Sequence, residues 1–124
     1  MKRTALVLAA SLLTAAPLAA APGDMNVATF LAKADALKAK GMGALFSSDM
    51  KLLQGEGQAA GEAYRTRLNA ERAAGKPSSC PPAGTKVSSD KLLAFLRTYP
   101  EPVRPRVSMK QAIADYFART WPCR

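Results

Sequence analysis

The chain has 124 residues, of which 48% are hydrophobic, so it is long enough for one small domain with its own core. It contains 18 lysines and arginines against 9 acidic residues, a formal net charge of +9, and no histidine. The lack of histidine excludes the commonest general base, every Ser/His or Cys/His nucleophile pair and every histidine metal site. The basic charge favours an anionic partner, but no motif that reads a nucleic-acid groove is present.

The N-terminus has the three parts of a secretory signal peptide. Lys2 and Arg3 give it a positive start, residues 4–16 are all small or apolar, and the segment ends in alanines up to Ala21. A membrane anchor is the alternative, but the apolar run is shorter than the ~20 residues that a spanning helix needs. We therefore expect residues 1–21 to be a signal peptide, residues 22–124 to form a single helical domain, and the protein to be periplasmic.

Apolar residues that recur at three- and four-residue steps predict four helices after the leader. Their starts and ends are marked by Asn26 and Gly41, Ser48 and Gly75, Ser88 and Pro100, and Ser108 and Trp121. No segment alternates apolar and polar residues for long enough to be a strand. The sequence therefore predicts an all-α fold, a small bundle of about four helices.

The second predicted helix contains three glycines, Gly55, Gly57 and Gly61, each of which costs about 1 kcal/mol relative to alanine. They either break the helix near residues 55–57 or let a neighbouring helix approach closely. We favour close packing, because Gly57 and Gly61 fall on the apolar face. The opposite face is predicted to be solvated, with charges at helical spacing: Glu56, Glu62, Arg65, Arg67, Glu71 and Arg72.

The third and fourth helices are predicted to pack against each other. Ser108 and Gln111 form a capping box at the start of the fourth helix. We expect Tyr116 and Phe117 to be buried against the apolar face of the third helix, which is made by Leu92, Phe95 and Leu96.

Cys80 and Cys123 are the only cysteines of the chain. Two thiols of an exported protein usually form a disulfide, whereas a redox or metal role needs a CxxC motif or a nearby histidine. The chain has neither. We expect a Cys80–Cys123 disulfide that closes a loop of about 44 residues and stabilises the domain by roughly 4 kcal/mol, and we expect no metal and no cofactor.

The segment between the last two helices is rich in proline and carries two arginines. Its prolines cannot continue a helix, so residues 100–105 are predicted to be a stiff, extended connector. Arg104 and Arg106 are the candidate residues for contact with an acidic partner, because arginine is enriched at interfaces. The alternative is that the basic residues of the C-terminal half serve solubility alone.

The acidic residues give little indication of catalysis. Most of them either stand near lysine or arginine in the sequence or lie at helix starts, where capping explains them. A pair of carboxylates brought together by the fold stays an alternative, because glycosidases use such pairs. We expect the protein not to be an enzyme.

Several short motifs occur in a fixed order in the C-terminal segment: Ser79-Cys80-Pro81-Pro82, Leu92-Leu93, Phe95-Leu96, Tyr99-Pro100-Glu101, Ala112-Ile113 and Trp121-Pro122-Cys123. In this order, residues 79–124 resemble the C-terminal half of the Tai/Rap-type immunity proteins. These are small helical periplasmic proteins of type VI secretion that bind and block peptidoglycan-cleaving amidase effectors. The resemblance implies a helical fold, the Cys80–Cys123 bond and a protein-binding role.

Two functions follow as expectations. The first is a periplasmic immunity-like protein that neutralises an amidase effector. The second is a stand-alone basic envelope protein with a structural or stress role, which binds anionic envelope polymers through its basic half.

Overall fold

The computed structural model describes residues 21–124. Within them lie four α-helices and two 3-10 segments: α1 is Val27–Lys40, α2 is Ser48–Ala73, α3 is Ser89–Arg97 and α4 is Met109–Thr120, with the 3-10 segments Gly41–Phe46 and Arg104–Arg106. The described residues contain no strand, only an isolated antiparallel bridge between Asn26 and Ser108. The predicted all-α fold of about four helices is confirmed. The predicted signal peptide, residues 1–21, falls almost wholly outside the described residues and stays a prediction.

At the start of each helix, the side chain of the N-cap residue accepts a hydrogen bond from a free backbone N–H of the first turn. The caps are Asn26 for α1, Ser47 for α2, Ser88 for α3 and Ser108 for α4. The capping box of α4 is only half formed. The Ser108 hydroxyl accepts from the Gln111 N–H at 3.1 Å, but the Gln111 side chain donates instead to Asp115 at 2.8 Å.

The core lies between α2 and α4, which make the most extensive helix pair, and is closed by α1 and α3. Val27, Leu96 and Met109 are fully buried at its centre. Tyr116 is buried beside Phe95, with 5.3 Å between the ring centroids, as predicted.

The prediction that Phe117 is buried against α3 is wrong. The Phe117 side chain is half-buried, and its ring lies 4.9 Å from the ring of Tyr64 on α2 and 5.1 Å from that of Trp121. Adjacent residues of a helix point about 100° apart, so Tyr116 and Phe117 face different neighbours.

The predicted disulfide is present. Cys80 and Cys123 are bonded with their Cα atoms 5.0 Å apart, and no free cysteine occurs among the described residues. The Cys80 N–H also donates to the Trp121 carbonyl at 2.8 Å. Next to it, the buried Ser79 hydroxyl is hydrogen-bonded to the Tyr64 hydroxyl at 2.5 Å. The loop after α2 is therefore tied both to the end of α4 and to α2 itself.

Helix α2 runs unbroken through its three glycines. The close-packing interpretation is nevertheless wrong, because a Cβ added at Gly55, Gly57 or Gly61 would meet no atom within 4 Å. The glycines leave open space beside α2 instead of admitting a neighbouring helix.

Glu56 does not belong to the solvated face on which the sequence placed it. It is buried, and its Oε2 atom accepts hydrogen bonds from the N–H groups of Gly23 at 2.7 Å and Met25 at 3.2 Å. Gly23 has a φ of +92°, and a Cβ there would lie 3.2 Å from the backbone nitrogen of Ala60. The segment before α1 thus lies across α2, and the charge of Glu56 is satisfied by backbone donors.

The connector after α3 is not extended as predicted. Residues 100–106 form consecutive turns that end in the 3-10 segment Arg104–Arg106. The Arg104 guanidinium donates to the carbonyls of Tyr99 and Arg97, both at 2.9 Å, and so draws the segment back onto the end of α3. The fixed φ of proline suits the first positions of a helical turn as well as extended chain.

Candidate binding groove

A wide apolar groove of about 1200 Å³ runs along α2. Buried side chains form its floor: Phe30, Leu37, Leu53, Tyr64, Leu68 and Ile113. Half-buried side chains add apolar surface that solvent reaches: Met50, Leu92, Leu93 and Phe117. Residues 81–87 of the loop that carries Cys80 also line it.

The groove exists because the other helices are too short to cover α2. At ~1.5 Å per residue α2 is ~39 Å long, whereas α3 and α4 reach only ~14 and ~18 Å. Gly57 and Gly61 line the uncovered face and contribute no side chains to fill it. The helical spacing predicts that this face is apolar, and we expected a neighbouring helix to pack closely against it.

Three large apolar side chains stand exposed on the 3-10 segment at one end of the groove. Met42 is 81% exposed, Leu45 is 65% exposed and Phe46 is 93% exposed, and Leu45 itself lines the groove. Exposed apolar side chains that adjoin an apolar groove indicate an interaction surface. The sequence indicates this surface. The apolar run lies between a glycine turn and a helix cap, so it belongs to no helical face that could bury it.

The charge around the groove has one sign. Among the described residues that line it, the basic side chains are Lys38, Arg65, Arg72 and Lys86, and none is acidic. Arg65 pairs with the exposed Glu62 at 3.0 Å. The groove therefore combines an apolar floor with a positively charged edge.

The structure does not bring Arg104 or Arg106, the candidate residues from the sequence, to the groove. Arg104 is half-buried and hydrogen-bonded to the end of α3, beside an ion pair in which Arg97 Nη2 lies 2.6 Å from Asp35 Oδ1. The hydrogen bond from Arg97 lowers the pKa of Asp35. Arg106 is exposed and remains available for contact with a partner.

One strongly shifted carboxylate holds the start of the loop that borders the groove. Hydrogen bonds from Ser78, including its N–H at 2.8 Å, and from Arg67 at 2.7 Å lower the pKa of Glu71 to about 2. Burial, together with the hydrogen bond from its hydroxyl to Asp115, raises the pKa of Tyr99. Both groups stabilise the fold, and neither side chain lines the groove.

Five of the nine carboxylates of the described region are paired with basic side chains. The ion pairs are Asp24 with Lys110, Asp35 with Arg97, Asp49 with Lys33, Glu62 with Arg65 and Glu71 with Arg67. In residues 21–124 no group of three or more His, Cys, Asp or Glu side chains is placed to hold a metal ion. Nor is any helix there both long and apolar enough to cross a membrane.

Comparisons of the chain with family models, with curated proteins and with solved structures find no match. The fold and the groove themselves define a small, disulfide-closed helical bundle with an open apolar face.

Proposed function

We propose that this protein is a non-enzymatic periplasmic immunity protein that binds and neutralises a peptidoglycan amidase effector of type VI secretion. The observation that carries the binding role is the apolar groove with exposed Met42, Leu45 and Phe46 at its end. The resemblance of residues 79–124 to the Tai/Rap-type proteins supplies the kind of partner. The signal-peptide pattern of residues 1–21 supplies the compartment.

The energetics of the exposed segment suit stable association. Covering a side chain such as Phe46, which is 93% exposed, contributes roughly 1.5–3 kcal/mol. These three residues and the apolar groove together supply the central, water-excluding part of an interface. A specific interface as a whole buries at least about 1,000 Å² of surface. Neutralisation then needs no chemistry, because a bound protein that covers the amidase cleft excludes its peptidoglycan substrate.

Arg106 is the second contact in this proposal. An exposed arginine acts mainly on the rate of encounter with an acidic partner, so Arg106→Glu should slow association and leave stability unchanged. Arg104→Glu should lower stability by at least about 1 kcal/mol, because it removes two hydrogen bonds to the end of α3. Stopped-flow association and thermal unfolding of the two variants measure both effects.

The second candidate function is a basic envelope protein that binds anionic polymers. It is favoured by five exposed basic residues of the C-terminal half that make no ion pair within the described residues: Lys86, Lys91, Arg106, Arg119 and Arg124. Binding of this kind weakens steeply with salt, whereas apolar docking does not.

The test uses residues 22–124 with the disulfide intact as bait in an envelope extract, beside two matched variants. Leu45→Ser removes an apolar side chain that is 65% exposed and lines the groove, and Leu52→Ser removes one that is 42% exposed on α2 and does not line the groove. We expect wild type and Leu52→Ser to capture an amidase and to protect cells that express it. Leu45→Ser should capture much less.

Capture of anionic glycan or lipid alone, with no protection of cells that express a peptidoglycan amidase effector, would contradict the immunity function. The envelope function would then take its place.

A further inference from the structure

We infer that the groove along α2 holds an amphipathic α-helix of the partner protein, with acidic residues along the edges of the helix. This inference rests on the proposed function, because it names the segment that the partner inserts. Three properties of the groove support it: its length, the missing side chains of its floor and the distribution of charge around it.

The length of the groove fits a helix. The groove is lined along α2 from Met50 to Arg72, which is ~33 Å at ~1.5 Å per residue, the length of a helix of about 20 residues. Its volume of about 1200 Å³ exceeds the ~300–1,000 Å³ of ordinary small-molecule pockets. A long helical segment therefore fits the groove better than a compact ligand does.

The floor of the groove has room for the side chains of a second helix. Two packed helices lie 8–10 Å apart, and the side chains of one enter the spaces between those of the other. Gly57 and Gly61, one turn apart on α2, supply such a space, since a Cβ on either would meet no atom within 4 Å. An incoming helix with apolar residues at three- and four-residue steps would place them there, as in other helix-in-groove complexes.

The charges are spread along the groove rather than gathered at one point. Lys38 lies near the end of α1, and the Lys33 to Asp49 ion pair at 3.0 Å places the middle of α1 beside the start of α2. Arg72 lies in the last turn of α2, at the other end. A lipid has its charge in one headgroup and would need clustered cations. Separated cations match carboxylates that repeat along a helix.

The direct test measures binding of three dye-labelled synthetic peptides to residues 22–124 by fluorescence anisotropy. The peptides are helices of about 20 residues: one with a leucine stripe flanked by glutamates, one with lysines for the glutamates, and one with glutamines for the leucines. We expect the glutamate peptide to bind at least tenfold more tightly than the lysine peptide at low salt, and the peptide without leucine not to bind. Equal affinity for the glutamate and lysine peptides would overturn the inference.

Three glycine variants locate the binding. Gly57→Leu and Gly61→Leu place a side chain in the groove, and Gly55→Leu is the matched control, exposed on the same helix and outside the groove. None should lower the melting temperature, because leucine has a higher helix propensity than glycine and each site has free space. The two groove variants should weaken binding of the glutamate peptide at least tenfold, and the control less than twofold. An equal effect of all three would overturn the inference.

Other occupants are tested with the same variants. Sedimentation shows whether the groove variants abolish self-association, and flotation with phosphatidylglycerol vesicles shows whether they abolish lipid binding. Either result without peptide binding would overturn the inference. If the amidase binds equally well to the wild type and to both groove variants, the helix inference fails while the immunity function stands. If the peptide binds but no amidase does, the immunity function fails while the helix inference stands.

Discussion

Removal of the disulfide by the paired change Cys80→Ser and Cys123→Ser should destabilise the domain strongly. The bonded residues are 43 positions apart, and the chain-entropy treatment assigns a loop of this size roughly 4 kcal/mol. That is a large share of the ~5–15 kcal/mol by which small domains are stable. The hydrogen bond from the Cys80 N–H to the Trp121 carbonyl remains in the variant, so the loop still has a point of attachment to α4.

Guanidinium unfolding followed by circular dichroism measures the loss, and the reduced wild type is the control, because it breaks the same bond without a change of sequence. We expect the free energy of unfolding to fall by about 4 kcal/mol in both. A loss below about 1 kcal/mol in both would refute the reasoning, since it would show that the unfolded chain gains little freedom when the bond is broken.

Three further changes test the packing of the domain. Glu56→Ala should lower the free energy of unfolding by about 2–3 kcal/mol, because it leaves backbone N–H groups unpaired. Glu62→Ala on the surface should lower it by less than about 0.5 kcal/mol, and urea titration compares the two variants. The pKa of Glu71 is about 2 in the fold against an ordinary value of 4.5, so its contribution to stability is present above pH 4.5 and is lost as the pH falls towards 2. The difference in stability between wild type and Glu71→Gln should therefore shrink over that range. A constant difference would contradict the shift. Phe117→Ala should lower the stability measured by thermal unfolding by about 2 kcal/mol, because the ring is half-buried. The comparison is Tyr116→Ala, which removes a buried ring and should cost the ~3–5 kcal/mol typical of a buried aromatic residue.

The helices could be predicted from sequence because their signals are local. Asn26, Ser88 and Ser108 cap the helices that the apolar spacing predicts, and Gly41 and Gly75 follow the ends of α1 and α2 with positive φ. Pairing of the cysteines followed from their number and from the predicted export.

The errors concern contacts that the helical spacing of apolar residues does not reveal. The burial of Glu56 depends on the chain before α1 lying across α2, 33 positions from Gly23, which no local pattern reveals. The fold of the connector depends on Arg104 reaching back to two carbonyls of α3 and the turn that follows it.

The groove itself was missed for a related reason. Periodicity identifies an apolar face but not whether the rest of the chain is long enough to cover it, and α3 has only 9 residues against 26 in α2. The open face beside Gly57 and Gly61 became visible only with the helix lengths and positions.

We propose that the protein neutralises an amidase by binding it through the groove. The most direct measurement is a titration of a peptidoglycan amidase effector of type VI secretion with residues 22–124, with release of soluble peptidoglycan fragments as the readout. We expect wild type and Gly55→Leu to abolish hydrolysis at about one equivalent, and Gly57→Leu to do so only at a large excess. Undiminished hydrolysis at a large excess of the wild type would contradict it.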